Sequence, residues 1–225
     1  MFTYSLSGLA ITSTGDVPTE VEESETTARS AVYQVLASFF GPADPDHYAK
    51  AAGGTWAEEL AKAATLLPFS IDADPAGLSP GVPEGGYAAE RSRIFSDQGD
   101  HDRLLREAGS ASDPDTLLAQ VRREYDYFGL AASEEAARPP DHLVTECDFM
   151  QYLCFREAAT SSDRLRSSYR RAQRDFLDRH LGPWVPNLVA SVSERDPQAP
   201  FPWGIERLDA FIRADHAYVA SLLAP

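Results

Sequence analysis

Apolar residues recur at helical spacing along most of the chain. Ala28, Ala31, Val32, Val35, Leu36, Phe39 and Phe40 fall at the i, i+3, i+4, i+7, i+8 positions of a core-facing helix, which Gly41-Pro42 stops. A short helix follows over residues 47–52. The T-x-x-E run from Thr55 to Glu58 then reads as a capping box for a helix reaching Leu67, with Pro68 as its stop. Residues 70–83, carrying Pro75, Pro80 and Pro83, form a loop, and helical patterning resumes over residues 84–97. Asp113 is an N-cap ahead of Pro114 at the first helical position. That helix runs through Leu117, Leu118, Val121, Tyr125 and Phe128 to a capping Gly129.

The longest patterned region covers residues 139–181 and breaks near Thr160-Ser161-Ser162, where Ser162 or Asp163 starts a second helix. Its first half buries Leu143, Cys147, Met150 and Cys154, widened by Phe149 and Leu153; its second buries Leu165, Tyr169, Phe176 and Leu177. A short helix over residues 184–192 and a last one over residues 205–223, after the proline-rich APFPW, complete the pattern. Strand alternation and repeats of 20–50 residues are absent, so the pattern predicts an all-α, single-domain helical bundle of roughly ten helices. Residues 1–25 include STGDVPTEVEESE, too polar to anchor to a core, and read as a flexible tail ahead of a domain over residues 26–225.

Composition narrows the function classes. The chain has 35 Asp+Glu against 20 Lys+Arg, a formal charge of -15, which repels phosphate backbones and argues against nucleic acid as a partner. Lys50 and Lys62 are the only lysines. Cys147 and Cys154 lie two helical turns apart, about 10 Å along the axis, too far for a disulfide. They read as buried thiols, and no CxxC or HxxxH spacing suggests a metal. No window approaches the ~20 apolar residues of a membrane span. The first 11 residues carry no Lys or Arg, unlike a secretory signal, so a cytoplasmic protein is expected, with a monomer as the default state.

The sharpest local feature is Arg138-Pro139-Pro140-Asp141-His142-Leu143-Val144-Thr145-Glu146. The prolines force an extended entry, placing Asp141 and His142 in the first helical turn and Glu146 four residues beyond His142 on the same face. Asp141 could simply stabilise the helix N-terminus while His142 and Glu146 pair locally. A general base is conceivable on such a histidine, and His101-Asp102 offers the literal pair of a helical metal-dependent hydrolase, though in a loop-like DQGDHDR segment without matching histidines. Phosphate loops, dinucleotide fingerprints and serine elbows are missing. Arg164, Arg166, Arg170, Arg171, Arg174 and Arg179 are interspersed with Asp163, Asp175 and Asp178 and read as a salt-bridged, solvated face. By contrast, Glu124, Asp126, Glu134, Glu135, Asp141, Glu146 and Asp148 crowd one helix junction against Arg138 alone. Interleaved with Tyr125, Tyr127 and Phe128, they suggest a groove for a basic, partly apolar peptide.

Several ordered pieces together resemble a known family. These are Glu90-Arg91-Ser92-Arg93-Ile94-Phe95, Tyr125-x-x-Phe128-Gly129-Leu130, Pro139-x-Asp141-His142-Leu143, Glu146-x-x-Phe149-Met150-x-x-Leu153 and Phe176-x-x-x-His180-Leu181-x-x-Trp184. The combination resembles the TorD/DmsD/NarJ family of redox-enzyme maturation chaperones. The resemblance implies a cytoplasmic chaperone without cofactor or catalysis. Its client would be the apo catalytic subunit of a dimethyl sulfoxide reductase-type molybdenum oxidoreductase, with the twin-arginine signal peptide, held until molybdopterin is inserted and export is permitted. It assigns client binding to Asp141 and His142, with Glu146 completing a polar lip over Tyr125, Phe128 and Phe149. Arg138 stands where the family motif has an acid. Two other classes remain alongside: the small hydrolase, and a permanently attached structural subunit of the oxidoreductase.

Overall fold

The computed structural model of the chain describes residues 2–3, 9–11, 20–97, 99–132, 138–195 and 200–224. In chain order these form β1 (Phe2–Thr3), β2 (Leu9–Ile11), β3 (Glu20–Val21), α1 (Glu25–Phe39), α2 (Pro45–Gly53), α3 (Thr55–Ala64) and α4 (Glu84–Phe95). Two 3-10 turns follow (Arg103–Leu105 and Glu107–Gly109), then α5 (Pro114–Tyr127), β4 (Leu130–Ala132), α6 (Leu143–Ala159), α7 (Asp163–Arg179), α8 (Leu181–Arg195) and α9 (Pro200–Leu222). The all-α class holds: among the described residues the strands make only two short antiparallel pairs, β1 with β3 and β2 with β4. In the stretch read as a tail, Leu9 is buried and Leu9–Ile11 pairs with Leu130–Ala132, tying it to the chain just after α5. Residues 13–19 of STGDVPTEVEESE lie outside the described residues.

The centre of the molecule is α6. Every residue from Leu143 to Phe155 is buried, so this helix is covered all round rather than on the single face predicted. It packs chiefly against α1 and α7, and both thiols lie inside it. At the far end of α1, the Phe39 ring meets Phe40 and Trp56 edge-on, at centroid distances of 5.1 and 4.9 Å. The start of α9 closes on the same ring: a Cβ at Gly204 would fall 2.1 Å from it, so only glycine permits the approach.

A polar set is sealed between α1, α6, α7 and α9. Arg29 donates from Nε to Asp215, and its two terminal nitrogens reach Gln173 (2.5 Å) and Glu157 (3.4 Å). Asp215 also accepts from Tyr33 (2.8 Å), and Glu157 from Gln173 (2.9 Å) and Arg170 (2.6 Å). A guanidinium buried this completely is tolerable because each of its three nitrogens meets a partner and two carboxylates balance its charge.

Several boundaries differ from the pattern for identifiable reasons. Thr55 does not cap: Gly54, at φ 75°, ends α2 and starts α3 at once, making Thr55 the first helical residue, with no side-chain cap. Ser162 rather than Asp163 caps α7. Leu165 is 48% exposed instead of buried, because it sits in the first turn of α7, where α6 has already ended. α8 and α9 start earlier than predicted, at Leu181 and Pro200. Prolines that read as stops occupy first-turn positions, where no backbone N–H is needed.

Candidate functional site

The Pro-Pro-Asp-His segment works as a clasp. Pro139 and Pro140 keep the chain extended, and their carbonyls are taken up at once: Pro139 accepts from the His142 N–H (3.1 Å), Pro140 from the Tyr125 hydroxyl (2.8 Å). His142 is not inside the first turn of α6 but is its N-cap, with Nδ1 accepting from the Val144 N–H at 3.1 Å. That contact leaves the proton on Nε2, which faces Asp102 at 3.7 Å, beyond direct hydrogen bonding. Burial lowers the His142 pKa in spite of Asp102. Asp141, one residue before the cap, accepts the Ala108 N–H on its carboxylate (3.1 Å) and the Glu107 N–H on its carbonyl (3.0 Å), with Arg106 Nε 3.6 Å away. The pair thereby fastens the 3-10 turns after α4 onto the N-terminus of α6.

Asp102 closes the clasp from the α4 side. It has a left-handed backbone, φ 61°, a region that costs most L-residues about 1–2 kcal/mol and aspartate less. Arg91, from the Glu90-to-Phe95 stretch, donates to its carboxylate at 2.5 and 3.3 Å and to the Phe40 carbonyl at 3.0 Å. Burial alone would raise the Asp102 pKa; His142 and Arg91 instead hold it well below the usual carboxylate range. Arg138, half-buried, has its pKa lowered by burial while the charges of Asp148 and Asp102 oppose that and Arg91 adds to it.

Glu146 does not pair with His142. Its carboxyl accepts from Trp184 Nε1 at 3.1 Å and abuts Glu107. Burial first, and then the Glu107 charge, push the Glu146 pKa well up, which favours its protonated form. Glu107 in turn meets His180 Nδ1 at 2.9 Å, His180 Nε2 lies 3.4 Å from Glu124, and Glu124 pairs with Arg179 at 3.0 Å. Burial opposes a charge on His180, but its hydrogen bonds to Glu107 and Glu124 prevail and raise it to about 9. The chain of contacts thus runs from α4 through the 3-10 turns to α5, α6 and α8.

Of the six predicted site residues, Asp141 and Glu146 are 0% and His142 2% exposed, and Tyr125 and Phe149 are equally enclosed. The polar-lip geometry is therefore corrected: the Asp141 and Glu146 carboxyls face inward to partners on neighbouring elements, and the His142 imidazole faces inward as the cap of its own helix. Tyr125, Phe128 and Phe149 do come together, with ring centroids 4.9 Å apart for Tyr125–Phe149 and 5.7 Å for Phe128–Phe149. Phe128 alone of the six keeps substantial surface. The acidic junction dissolves likewise: Asp141, Glu146 and Asp148 are buried, Glu124 is paired, and Glu134 and Glu135 lie outside the described residues. Of the α7 arginines, Arg166 pairs with Asp163 and Arg174 with Asp175 on the surface as expected, both at 2.6 Å, whereas Arg170 turns inward to the buried Glu157 and Arg171 meets no carboxylate among the described residues. His101 is exposed, and among the described residues no three His, Cys, Asp or Glu side chains group as metal ligands.

Four participants escaped the residue-by-residue reading: Arg106, Glu107, His180 and Trp184. His180 and Trp184 were within the Phe176-to-Trp184 motif, a usable signal. Arg106 and Glu107 sit in irregular chain, where no periodicity marks them. Two surface grooves accompany the clasp. One, about 560 Å³, lies between α1 and α3, with Ala28, Ala31, Val35 and Leu66 on its floor and both lysines on its rim. The other, about 760 Å³, runs between α5 and α7 past Tyr127 and Phe128.

Comparison with known proteins shows what a helical bundle with this Pro-x-Asp-His clasp at the α6 N-terminus is similar to. Residues 102–190 match the family described as "Nitrate reductase delta subunit". The chain is 47% identical over 83 residues to the selenate reductase assembly chaperone protein of Thauera selenatis, covering 36% of this chain and 43% of that protein. It is 39% identical over 75 residues to the chlorate reductase assembly chaperone protein of Ideonella dechloratans (33% and 39% covered). Over 151 residues it is 26% identical to the chaperone protein TorD of Photobacterium profundum (67% and 64% covered). The chain spans about two fifths of the length of the first two relatives. Over this matched region the chain is similar to that family, to reductase assembly chaperones and to TorD, in line with the resemblance its motifs suggested.

Proposed function

We propose that this protein is a system-specific chaperone for the catalytic subunit of a dimethyl sulfoxide reductase-type molybdenum oxidoreductase. It binds the apo-subunit in the cytoplasm, engages its twin-arginine signal peptide, and keeps it competent for molybdopterin insertion before export, performing no catalysis itself and acting as a monomer. The observation that carries this reading is the likeness to two reductase assembly chaperones, together with a family match, 102–190, that contains the whole clasp except Arg91.

In this reading Asp141, His142 and Glu146 serve client binding from inside, as positioning residues that hold the 3-10 turns and α6 in the shape the client meets. Four buried atoms of the clasp, Asp141 Oδ1, His142 Nε2, Arg91 Nε and Arg106 Nε, have no hydrogen-bond partner among the described residues. The net charge of -15 favours a cationic signal segment. Among the described residues no helix is long and apolar enough to cross a membrane.

The test is affinity capture from the native cytoplasm, with bound proteins identified and metals assayed in the same sample. A large molybdopterin-type subunit recovered without molybdenum is the expected result. Absence of such a subunit, with stoichiometric metal on the bait and turnover lost on changing His101 and Asp102, would give the hydrolase reading instead. The family's description as a subunit favours a second reading, permanent attachment. Stoichiometric co-purification with the cofactor-loaded enzyme would establish it.

A further inference from the structure

The groove between α5 and α7 has the opposite character from the rest of this acidic molecule. Its α5 wall is Arg123, Glu124 and Tyr127, and its α7 wall is Arg171, Asp175 and Arg179. Glu124 is consumed by Arg179 and His180, and Asp175 by Arg174. Arg123 and Arg171 are exposed, and among the described residues neither has a carboxylate partner. Arg123 donates only to the Ala119 carbonyl, and Arg171 reaches only the Ser168 hydroxyl at 3.5 Å.

Apolar surface converges on the same place. Tyr127 is 83% exposed, edge-on to Phe128 at 5.0 Å, and Leu165 is 48% exposed one turn before Ser168 at the end of the α7 wall. These are two of the three large hydrophobic side chains left exposed among the described residues. An uncovered aromatic beside unpaired arginines is the composition of an interface hot spot rather than of ordinary surface.

We propose that the α5–α7 groove docks an acidic segment of the client's mature fold. That segment would carry at least two carboxylates spaced to meet Arg123 and Arg171, and an aliphatic or aromatic anchor to cover Tyr127 and Leu165. Charge complementarity selects this occupant: a twin-arginine segment would meet like charge here, whereas carboxylates find bidentate guanidinium partners. The groove is thus a second docking surface, separate from whatever takes the signal peptide. The inference rests on the chaperone reading.

The probe is the apo catalytic subunit captured by the wild-type chain. Reversing both charges in R123E/R171E, while circular dichroism and thermal melting stay unchanged, is expected to weaken capture at least tenfold, and Y127A to weaken it several-fold. Wild-type capture should fall with rising salt more steeply than that of the double variant. A photo-crosslinker replacing Tyr127 should label a mature-region peptide containing clustered Asp or Glu. Capture unchanged in the folded R123E/R171E protein, or crosslinking to the signal peptide, would overturn this inference while leaving the chaperone reading intact. Failure of the wild type to capture any reductase subunit would overturn both. A wild-type dimer made monomeric by the charge reversal would assign the groove to a second copy of the chain and also overturn it.

Discussion

Two buried polar networks can be compared directly. Around Arg29 every carboxylate oxygen and guanidinium nitrogen has a partner, drawn from α1, α6, α7 and α9. Around Asp141 and His142 the partners come from short 3-10 turns and a left-handed Asp102, and four buried atoms are left without one. The first network closes on itself, the character of a group kept for folding. The second is held together by shorter, less regular elements and is less fully satisfied among the described residues; in the function proposed above it backs the surface the client meets. Residues 102–190 of the family match include all of the clasp but Arg91, whereas they split the closed network, taking in Glu157, Arg170 and Gln173 and leaving out Arg29, Tyr33 and Asp215.

The largest expected effect lies in the closed network. Arg29→Met leaves Asp215 buried without its cation and Glu157 with Arg170 alone, and should cost about 3–5 kcal/mol in urea denaturation. Tyr33→Phe, removing one donor to Asp215, should cost about 1–2 kcal/mol. If Arg29→Met proved neutral, the contrast between the networks would disappear.

Next comes Asp141→Asn, which replaces a charged acceptor of the Ala108 N–H and should cost about 1–3 kcal/mol. Local hydrogen exchange should locate the loosening in residues 103–109. Glu146→Gln should be milder. Burial and the Glu107 charge favour a protonated Glu146, and an amide can still accept from Trp184 and donate to Glu107.

The pH dependence follows from His180. Its folded pKa, about 9, is above the ordinary value near 6.5, so its contribution is complete below about pH 6.5 and is lost as pH rises through about 9. The unfolding free energy of the wild type should therefore fall between pH 7 and 10 more steeply than that of His180→Gln. Parallel curves for the two proteins would show that Glu107 and Glu124 do not hold the imidazolium.

The smallest effect is expected at Leu165, where Leu165→Ser should change stability by less than about 0.5 kcal/mol, since the side chain is exposed. A loss above about 2 kcal/mol would restore the buried stripe that its spacing suggested.

What the sequence made legible follows its regularities. Helix class, the Asp113-Pro114 start of α5, the Gly129 turn and the buried thiols all announce themselves through spacing or local backbone chemistry. The Asp141-His142 motif was visible as a motif, but not the direction its side chains face. Orientation depended on Glu107, Ala108 and Arg106 arriving from an aperiodic loop. Glu146 shows the same limit: spacing offered His142 as its partner, whereas tertiary packing supplied Trp184 from thirty-eight residues away. The early starts of α8 and α9 were obscured because proline reads as a stop, while a first-turn position needs no N–H.

The most direct test of the clasp's role is calorimetric titration of the captured client's signal peptide into wild type, D141N/E146Q and R29M, at a temperature where all three remain folded. If the clasp backs the client surface and the Arg29 network only supports the fold, affinity drops at least tenfold in D141N/E146Q and stays at the wild-type value in R29M. Equal affinity for wild type and D141N/E146Q would contradict the assignment of Asp141 and Glu146 to client binding.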